Sequence, residues 1–148
     1  MNVRKDYSGT PLWKKLGIRE RSRVALVDGP TEFLGALSPL PAGVSIRTSA
    51  KASNDVIVFF VTRNAVLARR FGALKRALDP AGGLWSAYPK KSSGRATDVT
   101  FASVQRAGLA AGLVDNKSCS IDETWSAVRF VVRLVDRPGG PRTEGSKR

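Results

Sequence analysis

Six consecutive apolar residues, Val56-Ile57-Val58-Phe59-Phe60-Val61, constrain this chain more than any other feature. The run is far shorter than the ~20 residues of a membrane span. It is also too continuous for a strand with one wet face. Side chains alternate along a strand, so a run apolar at every position must be covered on both sides. The chain supplies a cover at once. In residues 63–78, Leu67, Phe71, Leu74 and Leu78 fall at i, i+4, i+7 and i+11, one apolar stripe of a helix. Arg69, Lys75 and Arg76 lie off that stripe.

The same alternation runs through the rest of the chain. Thr10-Pro11 predicts a short docking helix stopped by Gly17, with Leu12 and Leu16 on one face. Residues 23–28 read as a buried strand ended by Gly29-Pro30, residues 31–37 as a short helix, and 44–48 as a second strand. After the 63–78 helix, Asp79-Pro80-Ala81-Gly82-Gly83 is a stop, 84–88 a strand and 89–95 a polar, basic loop. Thr97 or Asp98 caps a helix running to about Gly112, with Phe101, Val104 and Leu109 as apolar members. Residues 117–121 and 127–134 are strands joined by Asp122-Glu123-Thr124-Trp125, a connection so tight that they must be antiparallel. Strands alternating with helices predict a mostly parallel sheet between helix layers, a single Rossmann-like three-layer α/β domain with a C-terminal antiparallel hairpin. The expected division is residues 1–22 as arm and docking helix, 23–136 as the α/β domain, and 137–148 as a disordered basic tail.

Composition narrows the chemistry. The 148 residues contain no His and one Cys. That excludes Ser-His-Asp and Cys-His catalysis, His-ligated zinc, thiolate metal clusters and internal disulfides. No apolar run suits a membrane or a secretory signal, and a cytoplasmic location is expected. The net charge of +13 admits polyanions as partners. It is unevenly placed: residues 1–23 carry seven basic and two acidic groups, and residues 136–148 four and two. Nucleic-acid binding through the basic arm and surface is therefore an alternative, although no helix-turn-helix, zinc-finger or RNA-recognition signature accompanies the charge.

Two resemblances add to this. The closing hairpin, and the Pro80-Ala81-Gly82-Gly83-Leu84 approach to a strand, resemble the class I methyltransferase fold. Three segments are similar to an uncharacterised bacterial family, domain of unknown function 3052. They are Tyr7-Ser8-Gly9-Thr10-Pro11-Leu12-Trp13-Lys14-Lys15-Leu16-Gly17, then Pro89-Lys90-Lys91-Ser92-Ser93-Gly94 with Thr97-Asp98, and Gly112-Leu113-Val114-Asp115-Asn116-Lys117. The last continues into Asp122-Glu123-Thr124-Trp125-Ser126 and Arg129-Phe130-Val131. The family resemblance spans about residues 7–135 and implies no assigned reaction and no catalytic residues.

In an open α/β sheet, ligands sit beyond the carboxyl ends of the strands. The loops expected to meet there are Asp28-Gly29-Pro30, Thr62-Arg63 and the stretch from Pro89 to Arg95. Lys90, Lys91, Ser92, Ser93, Gly94 and Thr97, with Asp28 facing them, form the expected anion site, on the reading that the loop leads straight into a helix N-terminus. Trp125 with Arg129, and Trp13 beside Lys14 and Lys15, are candidate partner surfaces. Asp122-Glu123 is a candidate acid–base pair better suited to a solvated turn, and Cys119 near Lys117 a nucleophile without a general base. No metal site is expected. The first turn holds one glycine and a proline, and the second strand ends in Arg47-Thr48-Ser49 without a carboxylate for a ribose, so no cofactor is expected and S-adenosylmethionine is disfavoured without being excluded. These features favour a non-catalytic binding or regulatory domain for an anionic small molecule or protein partner. Nucleic-acid binding and a divergent S-adenosylmethionine-dependent methyltransferase are the alternatives.

Overall fold

Strand β3 (Asn54–Phe60) lies inside a six-stranded sheet, as its two apolar faces require. The structure, a computed structural model, describes residues 10–51 and 53–138. The expected arm before residue 10 and tail beyond residue 138 lie outside the described residues. The other strands are β1 (Arg23–Val27), β2 (Ser45–Arg47), β4 (Leu78–Pro89), β5 (Leu113–Ser120) and β6 (Trp125–Val132). The sheet order is β2-β1-β3-β4-β6-β5. β1, β2, β3 and β4 are mutually parallel, and β6 runs antiparallel to both β4 and β5. The Rossmann-like class and the closing hairpin are thus as the alternation requires.

Period-two alternation sorts the strand side chains into two cores. Ile57, Phe59, Leu84, Val128 and Phe130 face helix α3 (Asn64–Arg76), through Leu67, Phe71 and Leu74, and helix α4 (Phe101–Ala110), through Val104. Val56, Val58, Phe60, Trp85 and Ala127 face helix α1 (Leu12–Lys15), at whose end Leu16 is buried, and helix α2 (Phe33–Leu37). The indole of Trp85, fully buried, donates to the carbonyl of Leu16 at 2.9 Å and ties α1 to the middle of the sheet. Gly17 ends that segment with φ +85°, a left-handed stop that suits glycine.

Several local expectations need correction. α3 stops at Arg76, and Leu78 is buried from β4 instead. The 79–83 stop belongs to β4: between the pairs Asn54↔Leu78 and Val56↔Gly83, β4 carries extra residues and bulges outward. α4 begins at Phe101, capped by Thr100, whose side chain accepts from Ser103 N while Ser103 Oγ accepts from Thr100 N. Phe101 and Leu109 are exposed, leaving Val104 and Gly108 as the buried positions of α4. β5 starts four residues earlier than the expected 117–121 strand. Only residues 48–53 separate β2 from β3, and no helix covers that return among the described residues. Arg47 Nη2 closes it by donating to Ser53 O at 3.1 Å and Asn54 Oδ1 at 3.0 Å.

Candidate functional site

The chain passes from β1 outward to β2 and returns on the other side of β1 as β3, so strand order reverses between β1 and β3. At such a reversal the loops leaving the two strands diverge and open a crevice. A cavity of about 440 Å³ lies there, within the range of small-ligand sites. Asp28, Gly29 and Pro30 line it from β1, Phe60, Val61, Thr62 and Arg63 from β3, Glu32 and Val66 from the helices that follow, Arg95 from the basic loop, and Asp122, Thr124 and Trp125 from the hairpin turn. All three loops expected at the strand ends therefore contribute. Glu32, Val66 and Thr124 were not foreseen, because each sits beyond a strand end whose exact exit path only packing decides.

The floor is aromatic. Phe60 meets Phe33 and Trp125 edge-on, with ring centroids 4.8 and 4.9 Å away. A Cβ at Gly29 would stand 3.2 Å from the Phe60 ring, so the glycine lets β1's exit lie flat on that floor. Asp28, just before it, has φ +59°, a left-handed geometry that Asp tolerates better than most side chains. Its Oδ2 accepts from Arg70 Nη1 at 3.0 Å. The Arg95 guanidinium lies 5.2 Å from the centre of the Trp125 ring. The expected Trp125–Arg129 pairing is therefore replaced: Arg95 covers Trp125, and Arg129 lines a second cavity at the amino ends of the strands.

Of the expected anion-site residues, only Asp28 lines the cleft. Lys91, Ser92 and Ser93 form a 3-10 turn closed by Gly94 at φ +73°, and the helix N-terminus expected directly after it lies further on, at Thr100. Lys90 Nζ donates to Ser120 Oγ at 2.6 Å, its backbone N–H to Thr124 O at 2.7 Å, and Ser93 Oγ to Lys90 O at 2.7 Å. Thr97 Oγ1 donates to Thr62 O at 2.7 Å, and Asp98 Oδ1 accepts the Asn64 N–H at 2.8 Å. Thr97 and Asp98 thus steady the β3–α3 corner of the cleft, with Asp98 acting as a remote cap for α3. Asp122 Oδ1 accepts from the N–H groups of Thr124 and Trp125, both at 2.8 Å, and so shapes the turn. Glu123 does not line the cleft with it. Burial pushes the Cys119 thiol up, while Lys15, Lys117 and Lys90 pull it down less strongly, so the protonated thiol is favoured. Trp13 packs, half-buried, on the α1-side core.

No protein-family model matches the chain. No curated protein matches it in sequence either. Solved structures do match in fold. One is a mitomycin 7-O-methyltransferase, with TM-score 0.62 and 10% identity over 76% of this chain and 49% of that one. Another is a ribosomal protein methylase from Lactobacillus delbrueckii subsp. bulgaricus, with TM-score 0.57 and 10% identity over 82% and 75%. A third is a magnesium protoporphyrin IX methyltransferase from Synechocystis PCC 6803 with bound S-adenosylmethionine, at TM-score 0.53 and 11% identity over 82% and 74%. The chain spans about half the length of the first of these. The shared fold is that of methyltransferases. This finding overturns the reading as a non-catalytic binding or regulatory domain for an anionic small molecule or protein partner.

Proposed function

We propose that the cleft between β1 and β3 binds S-adenosylmethionine and that the chain is a divergent methyltransferase. The observation that carries this reading is the position of the cleft, at the reversal of strand order and at the carboxyl ends of parallel strands. Its charges suit the cofactor. The amino-acid end of S-adenosylmethionine carries an ammonium and a carboxylate, and the sulfonium adds a further positive charge. Asp28, Glu32 and Asp122 supply carboxylates, and Arg63 and Arg95 supply guanidiniums, around one cavity. Thr62 and Thr124 add hydroxyls.

One departure is plain. β2 ends without a carboxylate, and the Arg47 guanidinium beside it is already occupied by Ser53 and Asn54. In its place Glu32, exposed at the start of α2, presents a carboxylate to the same cleft. When bound, the cofactor supplies an activated methyl group. The chain's own part is to hold the cofactor's charges apart, to seat its apolar surfaces on Phe60 and Trp125, and to keep the β1 exit flat through Gly29. The fold resemblance to methyltransferases, one of them solved with S-adenosylmethionine, supports the same reading.

Titration calorimetry with S-adenosylmethionine tests the proposal. Saturable binding is expected, weakened about tenfold by Asp28→Asn, since a hydrogen bond to a charged group contributes about 1.5–3 kcal/mol. Asparagine also accepts the left-handed backbone at this position, so the variant changes charge and not geometry. No saturation up to about 1 mM, a limit near 4 kcal/mol of binding, would overturn the reading.

A further inference from the structure

Arg129 is the one charged residue of β6, whose other side chains are apolar apart from Ser126. Its side chain is half-buried and lies against the backbone of Gly83, where a Cβ would collide with Nε and stand 2.8 Å from Cζ. The glycine is therefore what lets the guanidinium lie flat there. Five N–H donors on a guanidinium call for acceptors when water is removed. Among the described residues no carboxylate pairs with Arg129, and its hydrogen bond to Asn116 Oδ1 is long, at 3.4 Å. Burial and the like charge of Arg137 both disfavour the charged form.

Arg129 faces a cavity of about 340 Å³ at the amino ends of β1, β3 and β4. Arg19 and Arg21 stand at its exposed rim. Two of its three carboxylates, Asp55 and Asp79, are already bonded to Arg23, and the charge of Asp55 also acts on Arg19, which leaves Arg129 as the arginine of the cavity without a carboxylate partner among the described residues. The third, Glu20, makes only a 4.0 Å contact with Arg21. Gly82 keeps the wall thin, because a Cβ there would strike the Asp55 carbonyl oxygen. A guanidinium fork held in place on a rigid strand matches a planar or tetrahedral oxyanion.

We propose that this amino-end cavity binds a small oxyanion-bearing molecule, a phosphate or a carboxylate, with Arg129 as its anchor and Arg19 and Arg21 closing on it from the rim. The site shares no residue with the cleft between β1 and β3. The experiment is calorimetric titration of the full chain with pyrophosphate and, separately, with citrate. Saturable binding of at least one is expected, and which one binds tells the phosphate class from the carboxylate class. Arg129→Gln should weaken it about tenfold. The Arg19→Gln, Arg21→Gln double variant, altered only at exposed side chains, should weaken it several-fold and carries the test if Arg129→Gln does not fold. S-adenosylmethionine titrated into the same variants reads the other cleft separately, so failure of either site leaves the other's result intact. Saturation by neither probe up to about 10 mM, or pyrophosphate and citrate affinities that both sets of substitutions leave unchanged, overturns the proposal.

Discussion

Arg23 of β1 joins three strands, and its main partner is Asp55 of β3. Asp55 Oδ2 accepts the Arg23 backbone N–H at 2.7 Å and Nε at 3.1 Å, and its Oδ1 accepts Nη2 at 2.8 Å. Arg23 Nη2 also reaches Asp79 Oδ2 on β4 at 3.3 Å. Arg23, by hydrogen bonding first and by its charge, holds the Asp55 carboxyl below its ordinary value against the opposing effect of burial. A carboxyl titrating lower in the folded chain than in the unfolded one stabilises the fold above the unfolded value, near pH 4, and loses that contribution as pH falls through the folded value. Asp55→Asn should therefore lower stability at neutral pH, with the difference from the parent shrinking towards about pH 3. The side chains are about two-fifths exposed, so water screens the pair and the effect is modest. Urea unfolding at both pH values measures it. An equal difference at both would show that shape, and not charge, is what Asp55 contributes. At this scale Arg129 was legible in the sequence only as one of two arginines, with Arg133, on the mixed face of the expected 127–134 strand. Its attribution to Trp125 missed because residues 125 and 129 share a face yet stand two pairs apart along β6.

The helices show what periodicity can and cannot supply. α3 was readable because Leu67, Phe71 and Leu74 admit one register only. α4 was not, since Val104 is its one large buried side chain and Phe101 and Leu109 offered an equally regular but false stripe. Its start was ambiguous for a related reason: Thr97, Asp98 and Thr100 are all capping residues, and tertiary bonds to Thr62 and Asn64 remove the first two from contention. The true packing device of α4 is Gly108, where a Cβ would enter the Phe130 ring. Gly108→Ala should thus destabilise by about 1–3 kcal/mol through overpacking. Gly72→Ala, inside α3 with nothing nearer than Arg76 Nη1 at 3.6 Å, should stabilise by about 0.5–1 kcal/mol through helix propensity. Denaturant midpoints of the two variants check the opposite signs. A shift in the same direction for both would refute close packing of α4 on β6 through Gly108.

For the molecule as a whole, the two-faced apolar run at 56–61 dictated a covered parallel sheet, and the fold followed from it. The cleft was legible as far as the strand ends went: Asp28, Gly29, Pro30, Thr62, Arg63 and Arg95 come from the expected loops. The amino-end cavity was not, because the β4 bulge that builds it looked like a helix stop. Net charge acts at this same scale. Among the described residues there are five ion pairs, one of them stretched to 4.0 Å, against a chain carrying +13. Folding crowds that excess into a smaller volume, and the resulting repulsion opposes the compact state. Raising salt from about 20 mM to about 200 mM shortens the screening length from about 20 Å to about 7 Å. Repulsions spread across the surface are longer than that and fade, whereas contacts such as Arg23–Asp55 at 2.8 Å are short and persist. Thermal unfolding in sodium chloride should accordingly shift to higher temperature over this range. A falling Tm would mean that the ion pairs outweigh the repulsion, and that the basic excess is already balanced within the fold.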